Sequence, residues 1–235
     1  MKKVVLSLGG SVLVPTLEGN RVTAYAGVLS RISRRVNLFV VVGGGGEARR
    51  YISAAREIGL DEALADEIGI LVTRLNATLL AGALGDAAVP AVAASQTEAC
   101  AAAASGKIVI MGGITPAQTT DAVAAVLAER VGADLIVNLT SVDGIYTADP
   151  KTDPAARKLD VISADRLLGI VGGASPAAGA NMVIDMVAAR VVKRSGIPLL
   201  VIDGTDPLAL EDALLAGRHS GSLVTATGKK PAGLF

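Results

Sequence analysis

The sequence contains few of the residues on which several classes of chemistry depend. Its 235 residues include one cysteine, one histidine and no tryptophan, and aromatic residues make up 2% of the chain. One cysteine cannot form a disulfide within the chain, so we expect a protein of the reducing cytoplasm. The same two residues cannot supply a transition-metal ligand set. A Ser/His/Asp triad would have to use His219, and the sequence contains no G-x-S-x-G motif.

Charge and hydropathy exclude further classes of protein. Lysine plus arginine balances aspartate plus glutamate at 22 each, and no basic stripe is visible, so we expect neither a nucleic-acid partner nor an anionic membrane. The scarcity of aromatic residues also argues against base stacking on single strands. No apolar run approaches the roughly 18 residues of a membrane span. With 51% hydrophobic residues, the chain is long enough to bury a sizeable core.

Short apolar runs alternate with longer segments of helical period, which is typical of a parallel sheet covered by helices. The runs are continuous rather than alternating, as in strands buried on both faces. The predicted strands are Lys3–Leu8, Leu38–Val42, Val89–Val92, Lys107–Met111, Asp134–Leu139 and Pro198–Ile202. The predicted helices are Gly46–Ile58, Ala63–Leu84, Thr119–Val131, Ala180–Ser195 and Pro207–Leu215. The sequence therefore predicts an α/β protein with a central, mainly parallel sheet.

Many of the 27 glycines stand where a predicted strand ends. They follow three strands, at residues 9–10, 43–46 and 112–113. Ligands of open parallel sheets bind beyond the carboxyl ends of the strands, and glycine lets backbone N–H groups approach a charged ligand closely. The cluster at 43–46 opens directly onto a helix, whose positive end can face a phosphate. Any one cluster could be a tight turn, but three together predict an anion site.

Two familiar phosphate-binding motifs are absent from these clusters. A Walker P-loop fails because Gly106-Lys107 is followed by Ile108, and G-x-G-x-x-G fails because Arg49 stands at its last position. Arg49 lies on the first turn of the helix after the tetraglycine and is a candidate to reach a bound phosphate. A solvated surface arginine is the alternative.

Threonines and carboxylates supply the other candidates. Thr119 or Thr120 can cap the helix that follows, and Asp121 in its first turn suits the helix dipole, so a structural role competes with a functional one. The polar loop 143–156 follows another predicted strand and contains Tyr146 and Asp149. Long loops in compact domains are often functional, although a solvated connection remains the alternative.

Six segments carry a resemblance to a known family through their order along the chain: SLGGSVLVP, VVVGGGG-x-x-R, ADEIGI, MGG-x-TP-x-x-TTDAVAA, LTSVDGIYTADP and VIDMVAARVVKRSGIP. Over residues 4–224 the chain resembles the amino-acid kinase fold family, and within it the archaeal-type uridylate (UMP) kinases. The resemblance implies a three-layer αβα sandwich with one domain over residues 1–235. Its N-terminal part, about 1–130, would hold the acceptor site and the oligomer contacts, and about 131–235 the ATP site. It also implies phosphoryl transfer from ATP to UMP, Mg²⁺ carried with ATP, and a homohexamer.

Carried over position by position, the resemblance assigns roles to individual residues. ATP would be held by Gly9, Gly10, Ser11, Gly45, Arg49, Thr140, Tyr146 and Asp149. UMP would be held by Gly44, Asp66, Ile114, Thr115, Pro116, Ala117, Gln118, Thr119 and Thr120. Asp66 would accept a hydrogen bond from a ribose hydroxyl, and Asp121 and Arg49 would be the catalytic residues. No metal ligand from the protein is implied.

The chain departs from the family pattern at one position that affects the chemistry. Many relatives carry a lysine of Lys-x-Gly-Gly where this chain has Ser7, and no second lysine is evident near residues 181–185. Arg49 and Mg²⁺ are the candidates to neutralise the transferred group. Alternatives are a kinase of the same fold acting on isopentenyl phosphate, a carbamate or an amino acid, and a non-catalytic nucleotide- or oxyanion-binding storage protein. The TP-x-x-TTD segment and Asp66 favour a nucleotide acceptor.

Overall fold

A seven-stranded sheet forms the centre of the computed structural model, which describes residues 1–150, 152–173 and 183–230. The strands are β1 (Lys2–Leu8), β2 (Val36–Val42), β3 (Val109–Met111), β4 (Leu135–Thr140), β5 (Ile145–Tyr146), β6 (Lys158–Leu159), β7 (Val161–Ser163), β8 (Leu199–Asp203) and β9 (Ser222–Thr225). The sheet order is β3-β2-β1-β4-β8-β9-β7, parallel except between β8 and β9. Strands β5 and β6 form a separate antiparallel hairpin.

Helices cover both faces of this sheet. They are α1 (Gly10–Leu13), α2 (Val22–Ile32), α3 (Gly45–Glu57), α4 (Glu62–Leu84), α5 (Gln96–Ala102), α6 (Thr120–Val131), α7 (Ala164–Gly173), α8 (Met186–Ser195) and α9 (Pro207–Ala216). Alternate residues of β1 enter different apolar clusters: Leu6 packs with α2, α4 and α9, whereas Val5 packs with α5 to α8. The predicted three-layer αβα arrangement with a mainly parallel sheet is confirmed.

Two predicted elements differ from the structure. The strand predicted over Val89–Val92 is wrong: only isolated bridges form, from Ala88 to Ile108 and from Ala93 to Met111. Pro90 lacks the N–H that a ladder needs, so the run cannot continue as a strand. The helix predicted over Ala180–Ser195 begins at Met186, because Asp185 caps it. Residues 180–182 of that prediction lie outside the described residues.

Helix α4 is the most apolar long element of the fold. Over the described residues, one helix, Glu62–Ala87, is long and apolar enough to cross a membrane by length and composition alone. In the sequence, Arg74 interrupts its apolar run. The helix packs against α2, α3 and β2, and 44% of its apolar window is buried. A core helix meets the same criterion, so the length of α4 is weak support for a membrane span.

Candidate active site

The glycine loops that follow β1 and β2 are in direct backbone contact. A Cβ placed on Gly10 would lie 2.2 Å from the Gly45 nitrogen and 2.4 Å from the Gly43 oxygen. Gly45 adopts a left-handed φ of 67°, which glycine reaches without steric cost. Gly9 precedes Gly10 in the first loop, and its N–H donates to the carbonyl of Leu139 in β4 at 2.9 Å. The structure therefore brings together the first two predicted glycine clusters at the start of α3.

Helix α4 holds two of the glycine loops through buried polar side chains that sequence reasoning missed. The Asn76 amide donates to the Gly43 carbonyl at 3.0 Å and to the Gly44 carbonyl at 3.3 Å. The Thr73 hydroxyl oxygen accepts from the Gly113 N–H at 2.6 Å. Gly69, Thr73 and Asn76 recur at helical spacing, so they share one buried face of α4. Polar residues three positions apart in an otherwise apolar helix are the sequence feature that indicates Thr73 and Asn76.

Asp66 of α4 is fastened to the loop predicted to hold UMP. Its Oδ2 accepts from the Ala117 N–H at 2.7 Å, and Ala117 has a left-handed φ of 61°. A non-glycine residue in that region costs free energy, so the bond to Asp66 helps hold the loop in place. The loop belongs to the connection 112–119 between β3 and α6, where Thr120 is the first helical residue. The structure thus brings Asp66 and this loop together.

Thr119 connects the starts of two helices. Its hydroxyl oxygen caps α6 by accepting from the Ala122 N–H at 3.1 Å, and the hydroxyl donates to Asp185 Oδ2. Asp185 Oδ1 in turn caps α8 by accepting from the N–H groups of Val187 and Ala188 at 2.7 and 3.0 Å. The positive ends of α6 and α8 therefore lie side by side. Sequence reasoning missed Asp185, because the predicted helix started too early and hid its cap.

Asp121, in the first turn of α6, is held by residues of two strands. The Ser7 hydroxyl donates to Asp121 Oδ1 at 2.6 Å, and the Asn138 amide bonds the same carboxylate. The pKa of Asp121 is raised to about 6. Burial raises it most, the Ser7 hydrogen bond lowers it, and the nearby Asp185 charge raises it. Neither Ser7 nor Asn138 was predicted as a site residue.

Arg49 lies beside the glycine loops on the exposed surface of α3. Because α3 begins at Gly45, Arg49 is its fifth residue, one turn in. It lines an open cavity of about 400 Å³ with Gly46 and Ser53. Its neighbour Arg50 pairs with Glu47 at 3.1 Å, whereas the ion pairs among the described residues do not include Arg49. The position leaves the guanidinium available to an anion.

The residues predicted on the ATP side divide into two groups. Ser11 stands in α1, and Thr140 at the end of β4 lies next to Gly9, so both adjoin the glycine loops. Tyr146 belongs to the hairpin, where its hydroxyl donates to Asp143 Oδ1 at 2.9 Å. Asp149 follows in a turn, in which its carbonyl accepts from the Asp153 N–H at 2.8 Å.

Lys158 fixes the hairpin from the opposite strand. Its ammonium donates to Asp143 Oδ2 at 3.0 Å and to the Ser220 carbonyl at 2.9 Å. The hydrogen bond from Lys158 holds the pKa of Asp143 below its usual value. Tyr146 and Asp149 are thus tied to the hairpin and its neighbours.

Comparisons with known proteins agree with this geometry. A family profile described as the amino acid kinase family matches residues 2–203. A uridylate kinase of Methanospirillum hungatei is 60% identical over 231 residues, 98% of each chain. One of Methanoculleus marisnigri is 59% identical over 231 residues, 98% of this chain and 99% of that one. The crystal structure of uridylate kinase from Archaeoglobus fulgidus matches with a TM-score of 0.85 and 44% identity, covering 96% of this chain and 100% of that one.

The contact between the glycine loops predicts that Gly10 tolerates no side chain. We expect Gly10→Ala to lower the free energy of unfolding by about 3 kcal/mol or more, since its Cβ would overlap backbone atoms that cannot move away. The control is Gly169→Ala, in the exposed middle of α7 with no atom within 4 Å of the added Cβ. That change should raise stability by about 0.5–1 kcal/mol. Chemical denaturation measures both, and equal stabilities for the two variants would contradict the contact.

Proposed function

The chain belongs to the amino acid kinase family, and we propose that it acts there as a uridylate kinase. It transfers the terminal phosphoryl group of ATP to UMP, reversibly, giving ADP and UDP for pyrimidine nucleotide biosynthesis. The observation that carries the proposal is the contact of two glycine loops at the start of α3, beside Asp121 and the loop bonded to Asp66. Relatives named uridylate kinase, similar over nearly the whole chain, support UMP as the acceptor.

The acceptor side of the proposed site lies in residues 1–130. The loop at 114–120, with Gly44, would surround the UMP phosphate and base, and Asp66 would accept from a ribose hydroxyl. The bond from Ala117 to Asp66 Oδ2 supports this arrangement, because it fixes the carboxylate and the loop relative to each other. Asp66 Oδ1 would then face the nucleotide. With few aromatic residues in the chain, backbone groups, threonines and aliphatic side chains would hold the uracil.

The donor side combines the glycine loops with residues of 131–235. Gly9, Gly10, Ser11 and Gly45 would bind the ATP phosphates through backbone N–H groups, and Thr140, Tyr146 and Asp149 would hold the rest of the nucleotide. Mg²⁺ enters as Mg-ATP, because phosphate oxygens and water supply most of the ligands that this ion needs. Tyr146 is the ring that we expect at the adenine or ribose, and its bond to Asp143 keeps the hairpin in shape.

Phosphoryl transfer depends on alignment and charge neutralisation more than on covalent chemistry. An oxygen of the UMP phosphate bonds to the γ-phosphorus of ATP while the bond from that phosphorus to the β–γ bridging oxygen breaks, and ADP leaves. Glycine N–H groups and the positive ends of α3, α6 and α8 stabilise the charge on the transferred group. Arg49 adds a mobile cation, and Asp121 orders the reacting phosphates.

We place this reaction in the cytoplasm, where both nucleotides are available and a lone cysteine stays reduced. Cys100 is that cysteine, and it is half-buried. Neither a nucleic acid nor a membrane is part of the proposal.

An assay of ADP release with different acceptors tests the proposed function. With saturating Mg-ATP, we expect turnover with UMP to exceed that with CMP, glutamate, carbamate or isopentenyl phosphate. A nucleotide acceptor is favoured because the loop at 114–120 and Asp66 form one connected unit. No turnover with UMP would contradict the proposal and favour a storage or binding role. Faster turnover with another acceptor would reassign the kinase.

Removal of the Arg49 guanidinium tests its role as a phosphate clamp. We expect Arg49→Ala to lower kcat by about 100-fold, the scale of one lost charge-stabilising group. Arg50→Ala is the matched control: Arg50 is the next residue of α3, and its exposed pair with Glu47 contributes little. A kcat for Arg49→Ala near that of the wild type would remove Arg49 from the mechanism.

We also propose that the protein is a homo-oligomer, of six copies by family resemblance, with α4 at a subunit contact. Four leucines lie on its outer face at helical spacing and form an exposed leucine stripe: Leu64, Leu71, Leu75 and Leu79. Leu71 and Leu75 are 64% and 60% exposed. Leucines on the outer face of an apolar helix are normally buried. We therefore expect a second copy of this chain to cover the leucine stripe.

A charge placed in the leucine stripe should weaken this assembly. We expect the double variant Leu71→Glu/Leu75→Glu to form smaller particles than the wild type, because burying two carboxylates in an apolar contact is costly. Light scattering after gel filtration measures the mass. Leu208→Glu, at an exposed leucine of α9, is the control and should leave the mass unchanged. A monomeric wild type would contradict the proposal.

A further inference from the structure

Two buried polar residues interrupt the apolar face of the sheet beneath α6. Ser7 of β1 and Asn138 of β4 are partners in the parallel register, and they are 3% and 4% exposed. Two residues earlier on the same face, Val5 and Ile136 belong to the apolar cluster that packs against α6. Polar side chains buried at such positions are costly unless they are hydrogen-bonded. The hydrogen-bond partners of Ser7 and Asn138 therefore indicate what these two residues do in the fold.

Both residues bond the same carboxylate. Ser7 donates to Asp121 Oδ1 at 2.6 Å, and Asn138 bonds Asp121 while its amide nitrogen donates to the Val183 carbonyl at 2.7 Å. Asn138 thus reaches the segment before α8, and Ser7 makes no other described bond through its hydroxyl. The pair connects β1, β4, α6 and the approach to α8 at one point.

Asp185 is the charged group of the described residues that acts on Asp121. It faces Asp121 from the start of α8, where Thr119 and the helix N–H groups bond its two oxygens. Strands β1 and β4 contribute the neutral Ser7 and Asn138, and no cation of the described residues bonds the carboxylate. Among the described residues, the side chains that bond the Asp121 carboxylate are therefore neutral.

We propose that Ser7 is a positioning residue for phosphoryl transfer, which holds Asp121 Oδ1 in place and stabilises its charged form. This inference rests on the proposed function. A hydroxyl here orients the carboxylate without neutralising it, unlike the lysine that many relatives carry at this position. The cation for the transferred group must then come from another part of the site.

The direction of the pH effect follows from the hydrogen bond. The pKa of Asp121 is raised to about 6, so the carboxylate is protonated as the pH falls through 6 and activity falls with it. The Ser7 hydrogen bond opposes that rise. Without it the carboxylate is less stable, its pKa is higher, and the acid limit of kcat moves to higher pH.

The test compares the pH profile of kcat for the wild type and Ser7→Ala. We expect the acid midpoint to move up by about one pH unit, the scale of one hydrogen bond to a charged group. At pH 6.5 kcat should fall by about threefold, because the ionised fraction of Asp121 drops from about three-quarters to about one-quarter. KM for ATP and for UMP should stay close to the wild-type values, because Ser7 is buried and bonds Asp121. Ser7→Thr, which keeps the hydroxyl, should restore part of the profile.

Two further measurements separate positioning from a structural role. Ser195→Ala removes a half-buried hydroxyl at the end of α8, far from Asp121 in the fold, and should leave the profile unchanged. The carboxyl carbon resonance of Asp121 gives its pKa directly and should show the same upward shift in Ser7→Ala. Should Ser7→Ala fail to fold, Ser7→Cys keeps the shape with a weaker donor and is expected to shift the profile the same way.

The outcomes distinguish this inference from the proposed function. A wild type that phosphorylates UMP, with an unchanged pH profile and an unchanged Asp121 titration in the Ser7 variants, would overturn the role of Ser7 and leave the kinase assignment intact. A wild type that does not phosphorylate UMP would overturn the kinase assignment itself. A shift of both the kcat profile and the Asp121 titration supports the inference.

Discussion

The backbone contact between Gly10 and Gly45 is the constraint on which the candidate site depends. It brings the loops after β1 and β2 so close that no Cβ fits between them, and α3 begins there. The parallel register of β1 and β2 places both loops at the same sheet edge. Loops with side chains at these positions would stand apart, and their N–H groups could not converge on one anion. The glycines are therefore a requirement of geometry rather than a source of flexibility.

This constraint also explains how a chain with no net charge can present a site for polyanions. The positive potential is local, since it comes from N–H groups and from the ends of α3, α6 and α8. Negative side chains occur there too. Asp185 caps α8, and Asp121 lies in the first turn of α6, where each is favoured by the dipole of its helix. Burial works against Asp121 and raises its pKa, so its charge depends on the donors that the neighbouring strands supply.

The sequence predicts features that are local and misses those that depend on distant partners. Continuous apolar runs identify β1, β2, β4 and β8, and the glycines after β1, β2 and β3 mark the ligand edge, because each signal is local in the sequence. Pro90 should have excluded the strand over Val89–Val92 by its missing N–H. The role of Ser7 was out of reach, because it appears only when a residue 114 positions away closes a hydrogen bond. Asn138 is hidden likewise by its place in an apolar strand.

Helix α4 shows why such residues are hard to assign one at a time. Its inner face holds Gly43, Gly44 and Gly113 through Asn76 and Thr73, and Asp66 at its start holds Ala117. Its outer face carries the leucine stripe. The sequence of α4 therefore predicts an apolar helix of weak amphipathicity, because polar and apolar residues occur on both of its faces. The proposed subunit contact and the supports of the glycine loops are thus two faces of one helix, and a substitution on α4 has to be judged against both.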